Sequence, residues 1–150
     1  MVDPMMLMLG VALSLAAAQT PQDNPACALL TMPQVTSLIG AAKAIPVTSA
    51  PTGSTCMWQA GDKVVTVLIS TAPSPEGATR AFESKKKMVS GEAVPGWSLP
   101  AYAGVQRKAV AVGFLKGRTL TEVKVLDARQ TAEELGPRLK AVMKDIAARN

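Results

Sequence analysis

The 150-residue sequence predicts an α+β domain, an antiparallel sheet of about five or six strands with three helices packed on it. Two stretches rich in β-branched residues, around 55–71 and 110–125, each fold back through a glycine-containing turn. Segments with helical spacing of apolar residues precede, separate and follow those stretches. A run of strands closed by one helix, occurring twice, is how an antiparallel sheet with helices laid against it reads in sequence.

The chain opens on "MVDPMMLMLGVALSLAAA", an apolar stretch from Met5 to Ala18 ending in small residues that fit an A-x-A cleavage site at Ala16, Ala17 and Ala18. Residues 1–18 are therefore expected to be a secretory signal peptide cut before Gln19. Asp3 and no Lys or Arg stand before the apolar core, and a start at Met5 or Met6 removes that acid. The stretch is shorter than the about 20 apolar residues of a membrane span. No cysteine stands at the cleavage site to take a lipid. Residues 19–26, "QTPQDNPA", are polar and proline-rich and read as a flexible leader, so 27–150 is left as a single domain.

Within that domain, Thr31 precedes "MPQVTSLIG", where Met32, Val35, Leu38 and Ile39 recur at helical spacing and Gly40 can supply the stop. "AIPVTS" suits an edge strand, because Pro46 has no amide hydrogen for a ladder. A hairpin follows, with strands at 55–60 and 63–71 around Gly61 and Asp62. Its second strand has Val65, Val67 and Ile69 on one face and Val64 and Leu68 on the other, the pattern of a central strand covered on both sides at least in part. Ser74, Pro75 and Glu76 start a helix that runs to Ser90, its apolar stripe formed by Ala78, Phe82 and Val89 with the stem of Lys85.

"EAVPGWSLPAYA", residues 92–103, reads as an irregular loop. A second hairpin then turns at Lys116 and Gly117, with Val110, Val112 and Phe114 on one face of its first strand. The last helix begins at Thr131 with Glu134 in a capping-box position and buries Leu135, Leu139, Val142 and Ile146. Pro137 should make the regular helix begin or bend there. The order is helix, hairpin, helix, hairpin, helix, with room for one extra strand before each hairpin.

The composition excludes several chemistries. The chain contains no histidine, which removes Ser-His-Asp and Cys-His arrangements, histidine metal sites and an imidazole acid-base. Two cysteines cannot form a four-thiolate zinc site, and "APTGSTC" lacks the second glycine and the lysine of a phosphate loop, so neither metal nor cofactor is expected. Asp62, Glu76, Glu83, Glu92, Glu122 and Asp127 read as solvated surface charges. Loss of Asp3 with the signal peptide raises the formal charge from +5 to +6, which favours anionic surfaces without specifying one. Five aromatic residues in an exported chain give nucleic acid little to stack on.

Cys27 and Cys56 are the only thiols, an even pair in a chain expected in the periplasm or outside the cell, and predict a structural disulfide. Trp58, two residues beyond Cys56, is its expected neighbour in the core. Two roles are open to Trp97 and Tyr102 in the proline-rich loop: capping the open end of the sheet, or anchoring a partner or a sugar ring if exposed. Lys85, Lys86 and Lys87 read as a solvated helix surface or as a weak anion-attracting patch.

Cys27, Leu29, Leu30 and Thr31, followed by Leu38, Ile39 and Gly40 and then by Cys56 and Trp58, trace a C-x-L-L-T … L-I-G … C-x-W pattern. In this the chain resembles a group of small exported bacterial domains of uncharacterised function. The resemblance covers most of residues 25–126. It implies a disulfide and an α+β fold of the Mog1/PsbP-like kind, whose members are mainly adaptor or binding modules, and it brings no catalytic residues. A non-enzymatic exported domain that binds a protein partner or an anionic envelope component is the expected function. An inhibitor of an exported enzyme and a carboxylate-dependent hydrolase are the alternatives.

Overall fold

The computed structural model describes residues 23–149, so the expected signal peptide and residues 19–22 of the leader lie outside the described residues. The chain is mixed α+β, built on one seven-stranded antiparallel sheet with four helices. Two meanders make the sheet. The first comprises β1 (Ala44–Ala50), β2 (Gly53–Ala60) and β3 (Lys63–Thr71). The second comprises β4 (Glu92–Ala93), β5 (Ala101–Gln106), β6 (Ala109–Lys116) and β7 (Thr119–Leu126). They join where β3 pairs with β7, giving the order β1-β2-β3-β7-β6-β5-β4.

The helices are α1 (Pro25–Leu29), α2 (Met32–Ile39), α3 (Pro75–Met88) and α4 (Ala132–Arg149). Thr31 and Gln34 close a capping box on α2, and the Ser74 hydroxyl accepts the Gly77 amide at the start of α3. On the inner face of the sheet, α1, α2 and α4 bury Cys56, Trp58, Val65, Val67, Val112, Val123 and Val125. On the outer face, α3 covers Tyr102, Ala111, Leu115 and Leu120 with Ala78, Phe82 and Val89.

Four expectations need correction. The sheet has seven strands and the chain four helices, against five or six and three. Residues 92–103 contain the two-residue β4 and the start of β5, whose ladder the prolines at 95 and 100, both in the connection between the strands, do not enter. The fold starts before Cys27. Asn24 is buried, its side-chain oxygen caps α1, and its amide nitrogen donates to the carbonyls of Thr48 at 3.0 Å and Thr55 at 3.2 Å. Finally, α4 is regular from Ala132 through Pro137, since the exposed proline removes only the bond to the solvent-facing Glu133 carbonyl.

Topology explains why the two sheet faces differ. β3 ends at the middle of the sheet and β4 lies at its far edge, so α3, which links them, must cross β7, β6 and β5. No described helix crosses the outer face of β1, β2 and β3. β6 is consequently buried on both faces from Val110 to Leu115, whereas Val64 and Leu68 on β3 are only half-buried.

Candidate functional site

The expected site residues separate into three places. Tyr102 is fully buried under α3, with its ring edge-on to Phe82 at 5.2 Å between centroids. Trp97 is half-buried on the opposite side of the sheet, 6.4 Å from Phe114 and beside the end of α4. The two therefore form no common patch, and Tyr102 presents no surface to a partner. Of the three lysines in the last turn of α3, Lys86 and Lys87 line a surface cleft of 470 Å³ with Glu83, Ser84 and Gly91. Their positive charges also complement the carboxyl end of the helix.

Cys27 and Cys56 form the expected disulfide, with Cα atoms 5.0 Å apart. It ties α1 to β2, and both residues are buried with Trp58 in the inner core.

Two carboxylates overturn the reading of every acid as surface charge. Glu122 is 2 % exposed and accepts a hydrogen bond from the Tyr102 hydroxyl. Tyr102, Gly113 and Glu122 stand side by side on β5, β6 and β7, so the phenol reaches its partner across the missing side chain of Gly113. Burial, and then the charge and hydrogen bond of Glu122, raise the Tyr102 hydroxyl far above the ordinary phenol range, so it stays a donor. The other Glu122 oxygen faces the Lys124 ammonium at 3.6 Å, and that ammonium also donates to Gln106 at 3.1 Å. The network is thus closed beneath α3, with Lys124 at its solvent end.

Asp127 is 1 % exposed in the β7–α4 connection. Its carboxylate accepts from the Arg129 amide at 3.0 Å and the Gln130 side chain at 2.8 Å, with Lys63 at 3.7 Å. The Arg129 amide is the main cause holding its pKa below the usual carboxylate value, and Gln130, Lys63 and the Arg129 charge outweigh the opposing effect of burial together with it. A depressed pKa stabilises the fold fully above the unfolded value of about 3.9 and ceases to do so as pH falls through the folded value. In acid titration monitored by circular dichroism, Asp127→Asn should be destabilised at neutral pH and lose less stability than the parent below about pH 4. Parallel curves would contradict this role.

The described clefts hold at most one carboxylate each, Glu83 in one and Asp127 in another. Among the described residues no group of three or more Cys, Asp or Glu side chains is placed to hold a metal ion. No helix there is long and apolar enough to cross a membrane.

The surface that sequence reasoning could not delimit is the outer face of β1, β2 and β3. Register places Ile45, Met57, Val64 and Leu68 on this one face, with Leu126 at its border. Ile45 is 43 % exposed, and Met57, Val64, Leu68 and Leu126 are half-buried. Thr48, Thr55, Thr66 and Ser70 add hydroxyls to the face, and exposed Gln59, opposite Val64, adds an amide. Lys124 and Glu122, which border it on β7, pair with each other. Both sheet edges are poor templates for an added strand. β1 has Pro46 and an irregularity between Pro46 and Thr48, and β4 has two residues.

No family model matches the sequence, and no curated protein matches it.

Proposed function

We propose that this chain is a non-enzymatic exported domain that binds a protein partner through the uncovered half of its outer sheet face. The supporting observation is the contrast across that face, where α3 seals β5 to β7 and leaves Ile45, Met57, Val64 and Leu68 without cover. A face of apolar and uncharged polar side chains suits an apolar protein surface better than an anionic envelope component, which needs unpaired cations. Strands lie about 4.8 Å apart, so β1 to β3 span roughly 10 Å between outer axes, the width of one helix. An amphipathic helix of the partner, laid beside α3, is the fitting occupant, because blunted edges disfavour strand addition.

The disulfide supports the exported part of this reading, because such bonds persist in oxidising compartments. The resemblance to small exported bacterial domains agrees with a binding role. Engagement of Glu122 and Asp127 in closed networks leaves neither free to serve as an acid-base pair.

Photocrosslinking in the producing cell tests the surface. A photoreactive phenylalanine analogue in place of Met57 or Thr66 should give the same discrete protein adduct, and one in place of Glu76 on the exposed side of α3 should not. No adduct, or the same adducts from all three positions, would remove the proposed surface.

A further inference from the structure

On the other side of the sheet, the β4–β5 loop and the last turns of α4 enclose a cleft of 230 Å³. Trp97, Ser98 and Leu99 form one wall, and Lys144, Ala147 and Ala148 form the other. The loop is held in shape before any ligand arrives. The Val94 amide donates to the Ala101 carbonyl at 3.0 Å, the Leu115 amide donates to the Pro100 carbonyl at 2.9 Å, and Gly96 takes the turn at φ +82°. Trp97 and Leu99 also pack on the inner core, so the indole is fixed at its base while the cleft side remains open.

We infer that this cleft binds the carboxy-terminal apolar residue of a peptide chain. The volume is below the about 300–1,000 Å³ of sites for cofactors and drug-sized ligands, and suits a single residue. An indole, a leucine and two alanine methyls offer an apolar side chain its contacts. Lys144 is exposed at the rim and has no ion pair among the described residues, so its ammonium is free for a carboxylate. A sugar ring fits less well, since Ser98 offers the only side-chain acceptor in the described lining, beside the donors of Lys144 and the Trp97 indole. A free amino acid also fits poorly, because no carboxylate of the described residues lines the cleft to receive its ammonium. A chain terminus has an uncharged amide at that position and needs none.

Tryptophan fluorescence of the mature protein, titrated with acetyl-glycyl-glycyl-leucine, tests this. Trp97→Phe supplies the background of buried Trp58, the only other tryptophan. The emission change should saturate with a Kd on the order of 1 mM and weaken at least about tenfold for the carboxy-terminal amide of the same peptide. Lys144→Met should weaken the acid to the level of the amide, and Ala148→Leu, an exposed position at the wall, should remove the response. Thermal melts check that both variants stay folded. Equal binding of acid and amide, a response that survives Ala148→Leu, or binding of 4-methylpentanoate as tight as the peptide would each overturn the inference.

Discussion

Gly113→Ala is expected to cost the fold about 3–4 kcal/mol, a large share of the about 5–15 kcal/mol that holds a domain of this size together. A Cβ built at Gly113 lies 2.5 Å from Tyr102 Cζ and 2.6 Å from its hydroxyl oxygen, so the phenol must move. It has nowhere to go, because Phe82 stands on it and Gly91, Gly104 and the Val89 carbonyl crowd the region where α3 leaves the sheet. Overpacking of this kind costs about 1–3 kcal/mol by itself. Displacing the hydroxyl also takes from Glu122 a hydrogen bond of the charged kind, worth about 1.5–3 kcal/mol, in a place water does not reach.

The decisive comparison is the second background. In Tyr102→Ala the space over Gly113 is empty, and Gly113→Ala should then cost about 1 kcal/mol or less. Equal cost in both backgrounds, measured by denaturant unfolding, would show that the glycine serves the backbone and not the phenol. Tyr102 is the only tyrosine, so phenolate absorbance reports on it alone. Its raised pKa stabilises the fold fully below the unfolded value of about 10 and is lost as pH rises through the folded value. The native protein should therefore show no phenolate until it unfolds in alkali, and Tyr102→Phe should unfold less steeply there. A native phenolate signal near pH 10 would contradict the closed network.

How much of this was legible follows from the reach of each signal. Periodicity and capping are local, and Thr31 before its helix, Ser74 with Pro75, and the turns at Gly61 and Gly117 stand where the sequence put them. Pro46 marked an edge strand for the same reason, since a missing amide hydrogen is readable without knowing the partner. The disulfide was readable from arithmetic on two thiols.

Glu122 was not readable. An acid in an alternating strand between Leu120 and Lys124 looks solvent-facing until α3 is known to cross that half of the sheet. The available clue was Gly113 inside a strand of large residues, a mark of close approach by another group. Nothing local said that the approaching group was Tyr102, eleven residues earlier on the neighbouring strand. The exposed half of the sheet was hidden for the complementary reason. Val64 and Leu68 mark β3 as a central strand covered at least in part on both faces, and they are half-buried, but how far coverage extends depends on where the linking helix travels, and it travels away from them.

Removing the disulfide, by Cys27→Ala with Cys56→Ala, should cost about 3.5 kcal/mol and lower Tm by on the order of 10–15 °C. The pair is 29 residues apart in sequence, and closing a loop of that length in the unfolded chain accounts for the figure. The location adds a structural reason for the effect to concentrate at one element. At five residues α1 is too short to persist alone, and it is held to the sheet by the disulfide, the two Asn24 side-chain bonds to Thr48 and Thr55, and the burial of Ala26 and Leu30. With the crosslink gone, amide exchange should quicken first at positions 26–28, ahead of β3 and β7 at the sheet centre. If the variant melts within a few degrees of the parent, Asn24 and packing alone secure α1 and the crosslink is dispensable. If exchange quickens evenly across the sheet, the disulfide acts on the whole unfolded chain and not on the docking of α1. A loss of the predicted size would also mean that in a reducing compartment the chain gives up about a quarter to two thirds of an ordinary domain's stability, which fits a protein made to work where thiols are oxidised.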